Sequence, residues 1–158
     1  MGNRQELDAD IAAHPFLLGL SKHHLRLLAD CATRVAFEAN QVVFREGETA
    51  NRFYLIERGE VVLETNTAAG KTVVIDRIGK GDLLGWSWLF PPHLWHFTAR
   101  ASEATTAIFF YGTILREYCE KDHTLGYALL KRMSEVMTRR RQLARAKLVE
   151  EQGAAAKT

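Results

Sequence analysis

The sequence predicts a mainly β domain with helices at both ends, an antiparallel β jelly roll (double-stranded β-helix) between N-terminal helices and a long C-terminal helix. Three observations carry this expectation. Five short runs rich in β-branched and aromatic residues, at 42–44, 53–56, 61–63, 73–75 and 107–110, follow one another between glycine-bearing turns. Their spacing of about 8 to 12 residues suits an antiparallel sandwich or barrel and leaves no room for the crossover helices of a parallel sheet. Apolar residues recur at helical spacing before the first run and after the last one. With 158 residues, 47% apolar and 25% charged, the chain is about one domain's worth. We divide residues 1–158 into N-terminal helices (1–36), a β roll (37–112), C-terminal helices (113–152) and a frayed tail (153–158).

In order, Leu7, Ile11, Phe16, Leu17 and Leu20 are spaced as short helical turns interrupted by Pro15. Ser21 reads as the N-cap of an amphipathic helix whose apolar line is Leu25, Leu28, Ala29, Ala32 and Val35. His23 and His24, in its first turn, read as solvated. Glycine then punctuates the strands at Glu46-Gly47-Glu48, Arg58-Gly59-Glu60, Ala69-Gly70-Lys71 and Gly79-Lys80-Gly81. Beyond Gly112 a short helix over 114–119 precedes a long one from about Thr124 to Gln152. Leu129, Met133, Val136, Arg140, Leu143 and Lys147 alternate steps of four and three along it, a heptad seam that predicts a dimerisation helix. Packing of that seam on the chain's own barrel is the alternative.

Composition excludes several classes of function. Twenty-one basic against 19 acidic residues leave a net charge of +2, which favours neither nucleic acid nor an anionic membrane. No apolar run approaches the ~18 residues of a membrane span, and the first residues are too polar for a signal peptide. Cys31 and Cys119 read as free thiols of a cytoplasmic protein. No nucleophile with an adjacent base and no phosphate loop appears, so an enzyme is not expected. Of possible metal ligands only His93 and His96 lie close together, without a carboxylate beside them, and no metal site is expected. The basic run over 139–147 reads as a solvated face, and too few residues follow it here for a helix-turn-helix domain, so DNA binding is not expected.

The chemical identity of the chain lies in residues 81–101, which hold all three tryptophans, two opening glycines, Pro91-Pro92 and a closing small-residue strand, Thr98 to Ala101. With Phe16-Leu17-Leu18-Gly19-Leu20-Ser21, Val43-Phe44-Arg45-Glu46-Gly47-Glu48, residues 53–61 and Gly81-Asp82-Leu83-Leu84-Gly85, the order of elements resembles the cyclic-nucleotide-binding domains of catabolite-activator-type regulators and protein kinase A regulatory subunits. The resemblance implies an eight-stranded roll, a short internal helix at the ligand, and a C-terminal helix that dimerises or closes the pocket. It also implies a cassette running from a glycine through a ribose-binding glutamate to a phosphate-binding arginine ten residues after the glycine. With Gly85 in register, those two positions are Trp86 and Trp95; a one-residue shift brings His96 to the second.

Usual recognition of cyclic AMP or cyclic GMP is therefore expected to be weak or lost. Backbone N–H groups around Ser87 to Leu89 would offer a residual anion site. In one reading the aromatic residues plug the old pocket as added core. In the other, Gly85, Trp86, Ser87, Trp88, Trp95, His96, Phe97, Thr98 and Arg100 line a site for a planar or apolar molecule. Haem on His93 or His96 has availability alone in its favour. The expected function is a non-catalytic regulatory or sensory domain, a homodimer through Leu129, Met133, Val136, Arg140 and Leu143, with no certain cofactor and with an unknown small-molecule ligand and protein partner. A ligand-free dimeric adaptor recruiting a partner through its C-terminal helix, and a cyclic nucleotide held in an atypical mode, are the alternatives.

Overall fold

The computed structural model describes residues 4–156. It opens with helix α1 (Arg4–Ala13), a single 3₁₀ turn (Pro15–Leu17) and helix α2 (Lys22–Asp30). Ser21 caps α2 as expected, its hydroxyl accepting the His24 N–H at 3.2 Å. The helix ends sooner than the apolar spacing implied. Ala32 and Val35 lie on the first strand, opposite Phe110 and Ala107, so the roll begins at residue 32 and not at 37. A pairing partner on the last strand decides the matter, because two apolar residues three apart fit a helix and a strand end about equally well.

Eight strands follow: β1 (Ala32–Phe37), β2 (Val42–Phe44), β3 (Arg52–Arg58), β4 (Glu60–Asn66), β5 (Thr72–Gly79), β6 (Leu83–Leu84), β7 (Thr98–Ala101) and β8 (Thr105–Tyr111). They form two antiparallel four-stranded sheets, ordered β1-β8-β3-β6 and β2-β7-β4-β5. Gly59 joins β3 to β4 at φ +95°, and a Cβ there would lie 2.4 Å from the Ala104 carbonyl oxygen, so only glycine fits this corner. The C-terminal part is helix α3 (Gly112–Lys121) and helix α4 (His123–Ala156). Residues 153–156, expected in a tail, continue α4; residues 157–158 lie outside the described residues.

The first sheet is covered on both faces, which explains its unbroken apolar runs. Tyr54, Ile56 and Ala107 face a core between the sheets, while Phe53, Leu55, Ile108 and Phe110 face a second core beneath the helices. That helical core corrects the expectation for the seam of α4. Leu129, Met133 and Val136 are buried against the chain's own sheet, and Arg140 also meets the barrel, whereas Leu143 remains 64% exposed. The outward apolar face of the sheet needed a cover, and the apolar stripe of α4 contributes to it.

His24 is likewise buried, not solvated. Its Nε2 lies 3.2 Å from Asp122 Oδ2, and the exposed His23 lies 3.6 Å from the same oxygen. Cys31 and Cys119 are free, and burial pushes both thiols up to about 11. Among the described residues, no helix is long and apolar enough to cross a membrane.

Candidate functional site

Strand β6 is followed by Gly85, whose φ of +93° turns the chain into a segment of turns, not the short helix expected after it. The Leu89 N–H donates to the Trp86 carbonyl at 3.1 Å and the Phe90 N–H to that of Ser87 at 3.4 Å. The Leu89 donor is occupied within the turns, and residues 87–90 form no helix whose N-terminus could hold an anion. The segment then runs back along the turn after β2. The Trp95 N–H donates to Glu48 O at 3.0 Å, and Trp95 O accepts from the Gly47 N–H at 2.8 Å.

This tether drives the Trp95 indole inward. It is 3% exposed and stacks on Phe44 at 3.7 Å with the rings 10° from parallel, and the Arg52 guanidinium lies 5.7 Å from the ring centre. A Cβ on residue 85 would lie 2.8 Å from Cζ3 of this indole, so the absence of a side chain at Gly85 makes room for the ring. Trp95 thus lies directly against the glycine that opens the cassette.

The three tryptophans do not share one cavity. Trp88 is fully buried in the helical core, stacked on Phe53 at 5.2 Å, and its carbonyl accepts from Arg116 at 2.7 Å. Thr98 and Arg100 also lie away from the cavity, because alternate residues of β7 face outward while Ala99 and Ala101 face the core. Thr98 Oγ1 accepts from the Glu46 N–H at 3.1 Å, and Arg100 pairs with Glu64 at 2.7 Å. Of the expected site residues, Gly85, Trp86, Ser87, Trp95, His96 and Phe97 do line one cavity, of about 210 Å³. It opens beside a broader groove of about 940 Å³ between β5 and α4.

Two further kinds of lining residue escaped the sequence reading. Phe44 and Leu63 come from strands remote in the chain, with Leu84 from β6 beside Gly85, and Arg140 comes from α4. Arg140 is mostly buried. Its Nη2 donates to the Leu83 carbonyl, its Nε lies 3.7 Å from Asp76 Oδ2, its guanidinium lies 5.0 Å from the Trp86 ring centre, and its Nη1 is buried without a hydrogen-bond partner. Burial lowers its pKa, with Asp76 and Asp82 acting in the opposite direction. One signal could have found it: an arginine on an otherwise apolar helical stripe must either leave that stripe or find a partner beneath it. Among the described residues, no group of three His, Cys, Asp or Glu side chains could hold a metal ion.

The fold and cavity define a class: an antiparallel roll with a small apolar chamber between its sheets, walled on one side by the C-terminal helix. The family model described as cyclic nucleotide-binding domain matches residues 34–122, more than half of the sequence. The chain belongs to the cyclic nucleotide-binding domain family. A cAMP-dependent protein kinase regulatory subunit of Schizosaccharomyces pombe is 39% identical over 71 residues, which are 45% of this chain and 16% of that protein. The chain therefore matches only a small part of that relative's length. Among solved structures, a cyclic nucleotide-binding domain from Methylobacillus flagellatus superimposes with a TM-score of 0.81 at 18% identity, covering 96% of this chain and 87% of that one. The regulatory subunit of a cAMP-independent protein kinase A from Trypanosoma cruzi, bound to guanosine, gives 0.62 at 20% identity, covering 78% and 48%.

Proposed function

We propose that the protein is a non-catalytic sensory or regulatory domain whose pocket has exchanged the cyclic-nucleotide anchors for an aromatic chamber that takes another small, planar or apolar molecule. The observation that carries this reading is the Trp95 indole lying against Gly85, where the family's register calls for the arginine that pairs with phosphate. Removing one partner of a buried charge pair costs about 3 to 5 kcal/mol, or about two to four orders of magnitude in dissociation constant. Trp86 at the glutamate position removes the ribose partner as well. Gly85, Trp86, Ser87, Trp95, His96 and Phe97 are the residues of the proposed site. The guanosine complex of the T. cruzi relative is in keeping with a family pocket that serves ligands lacking a phosphate. Calorimetric titration with cAMP and cGMP tests the loss of usual recognition. No low-micromolar binding is expected, and such binding by either nucleotide would sink the proposal.

A dimeric adaptor is the second reading, favoured by one specific observation. The face of α4 one residue along from the predicted seam carries Leu130, Met137, Ala144 and Leu148 beside Tyr127, and this face borders the broad groove or stands exposed. Those positions lie three, seven, seven and four residues apart, so they share one helical face at heptad spacing, as a helix-pairing seam does.

A further inference from the structure

A buried guanidinium with a vacant donor is an incomplete arrangement, and Arg140 is one. The interior penalises its charge, yet arginine does not discharge in a protein, so the charge must be met by acceptors. What meets it is a backbone carbonyl, an aromatic face, and a carboxylate whose nearest oxygen, at 3.7 Å, lies beyond hydrogen-bond distance. Nη1 has no acceptor at all. A second buried donor without a partner, Trp95 Nε1, belongs to another wall of the same 210 Å³ cavity. The remaining walls are mostly apolar or aromatic, Phe44, Leu63, Leu84 and Phe97 among them, and Arg140 is the one lysine or arginine among the described residues that line the cavity. Two residues of the chamber wall thus carry donors without partners, and its lining is mostly apolar, which suits an anion carried on a flat apolar body.

We infer that the cavity binds a small aromatic acid, with its ring among Trp86, Phe97 and the Trp95–Phe44 stack and its anionic group on the Arg140 guanidinium. This rests on the reading of the cavity as a ligand site. A volume of about 210 Å³ falls below the roughly 300 to 1,000 Å³ of pockets for drug-sized ligands, so the ligand is of one or two fused rings. Asp76 competes with the ligand for the same guanidinium. Because Arg140 belongs to α4, an acid bound there ties the helix to the barrel at the point where the helix leaves it.

The chemistry is shared by carboxylates and phosphate monoesters, so the probes are 1-naphthylacetate, its neutral isostere 1-naphthylacetamide, and 1-naphthyl phosphate. They are titrated into the full chain while the three indole N–H resonances are followed by NMR. Trp86 and Trp95 are expected to shift, and Trp88, in the other core, to stay still. The carboxylate should bind about tenfold or more tightly than the amide. Arg140→Gln should reduce that ratio to about twofold or less, Arg140→Lys should retain part of it, and Asp76→Asn should tighten carboxylate binding several-fold by removing the competitor. Should Arg140→Gln not fold, the Asp76→Asn comparison alone decides. The relative affinity of the phosphate arm selects between the two sources of anion. Equal affinity for acid and amide, or a preference that survives Arg140→Gln, overturns the role of Arg140 and leaves the cavity as a site for neutral ligands. No response of Trp86 and Trp95 to any probe overturns the ligand site as well.

Discussion

At the scale of single residues, the proposed site turns on the pair Trp86 and Trp95. One indole closes over Gly85 and the other lies beneath a guanidinium. The double variant Trp86→Glu, Trp95→Arg re-creates the polar anchors in register and is expected to raise affinity for cAMP by about a hundredfold or more, read by calorimetry. No gain would mean that the cassette register is wrong. The sequence offers that register because Gly85 and the small-residue strand at 98–101 align both ends of the segment without a gap. The destination of each ring was not. Trp88 differs from Trp86 and Trp95 only in the turn geometry that sends it beneath the helices, and Thr98 and Arg100 were lost from the site because β7 alternates its faces.

At the scale of elements, the informative case is α4. A three-four spacing identifies an apolar stripe but not the surface that covers it, and here the barrel claims the stripe before any partner can. Leu129, Met133 and Val136 are core. Met133→Ala is therefore expected to cost about 2 to 5 kcal/mol in denaturant unfolding, as a fully buried truncation does. Met137, one helical position onto the neighbouring face, lines the open groove. Met137→Asp should leave stability nearly unchanged and convert any dimer to monomer by light scattering. If the two substitutions behave alike, the division of faces is incorrect. The strands were easier to read, since β-branched and aromatic runs between glycines identify themselves. The exceptions were β1, whose residues mimic a helix end, and β6, only two residues long.

At the scale of the whole molecule, the N-terminal and C-terminal helices meet at Asp122. Its Oδ1 accepts from the Leu125 N–H at 3.2 Å, capping α4, while Oδ2 faces His24 and His23. The Leu125 N–H and then the two histidines hold this carboxyl below the usual carboxylate range. A depressed folded-state value means that its contribution is present above the unfolded pKa and is lost as pH falls through the folded one. Asp122→Asn, which keeps a capping oxygen, should lower the melting temperature at neutral pH and make the loss of stability below about pH 4 shallower than in the wild type. An unchanged acid limb would remove Asp122 from this role. No spacing rule could have brought residues 24 and 122 together; only the folded helical layer does. That layer also holds α4 along its first half alone, since residues 141–150 are all exposed. Beyond Arg140 the helix projects from the barrel, so a tilt of about 5° at that point would carry Ala156, some 24 Å further along the axis, through about 2 Å.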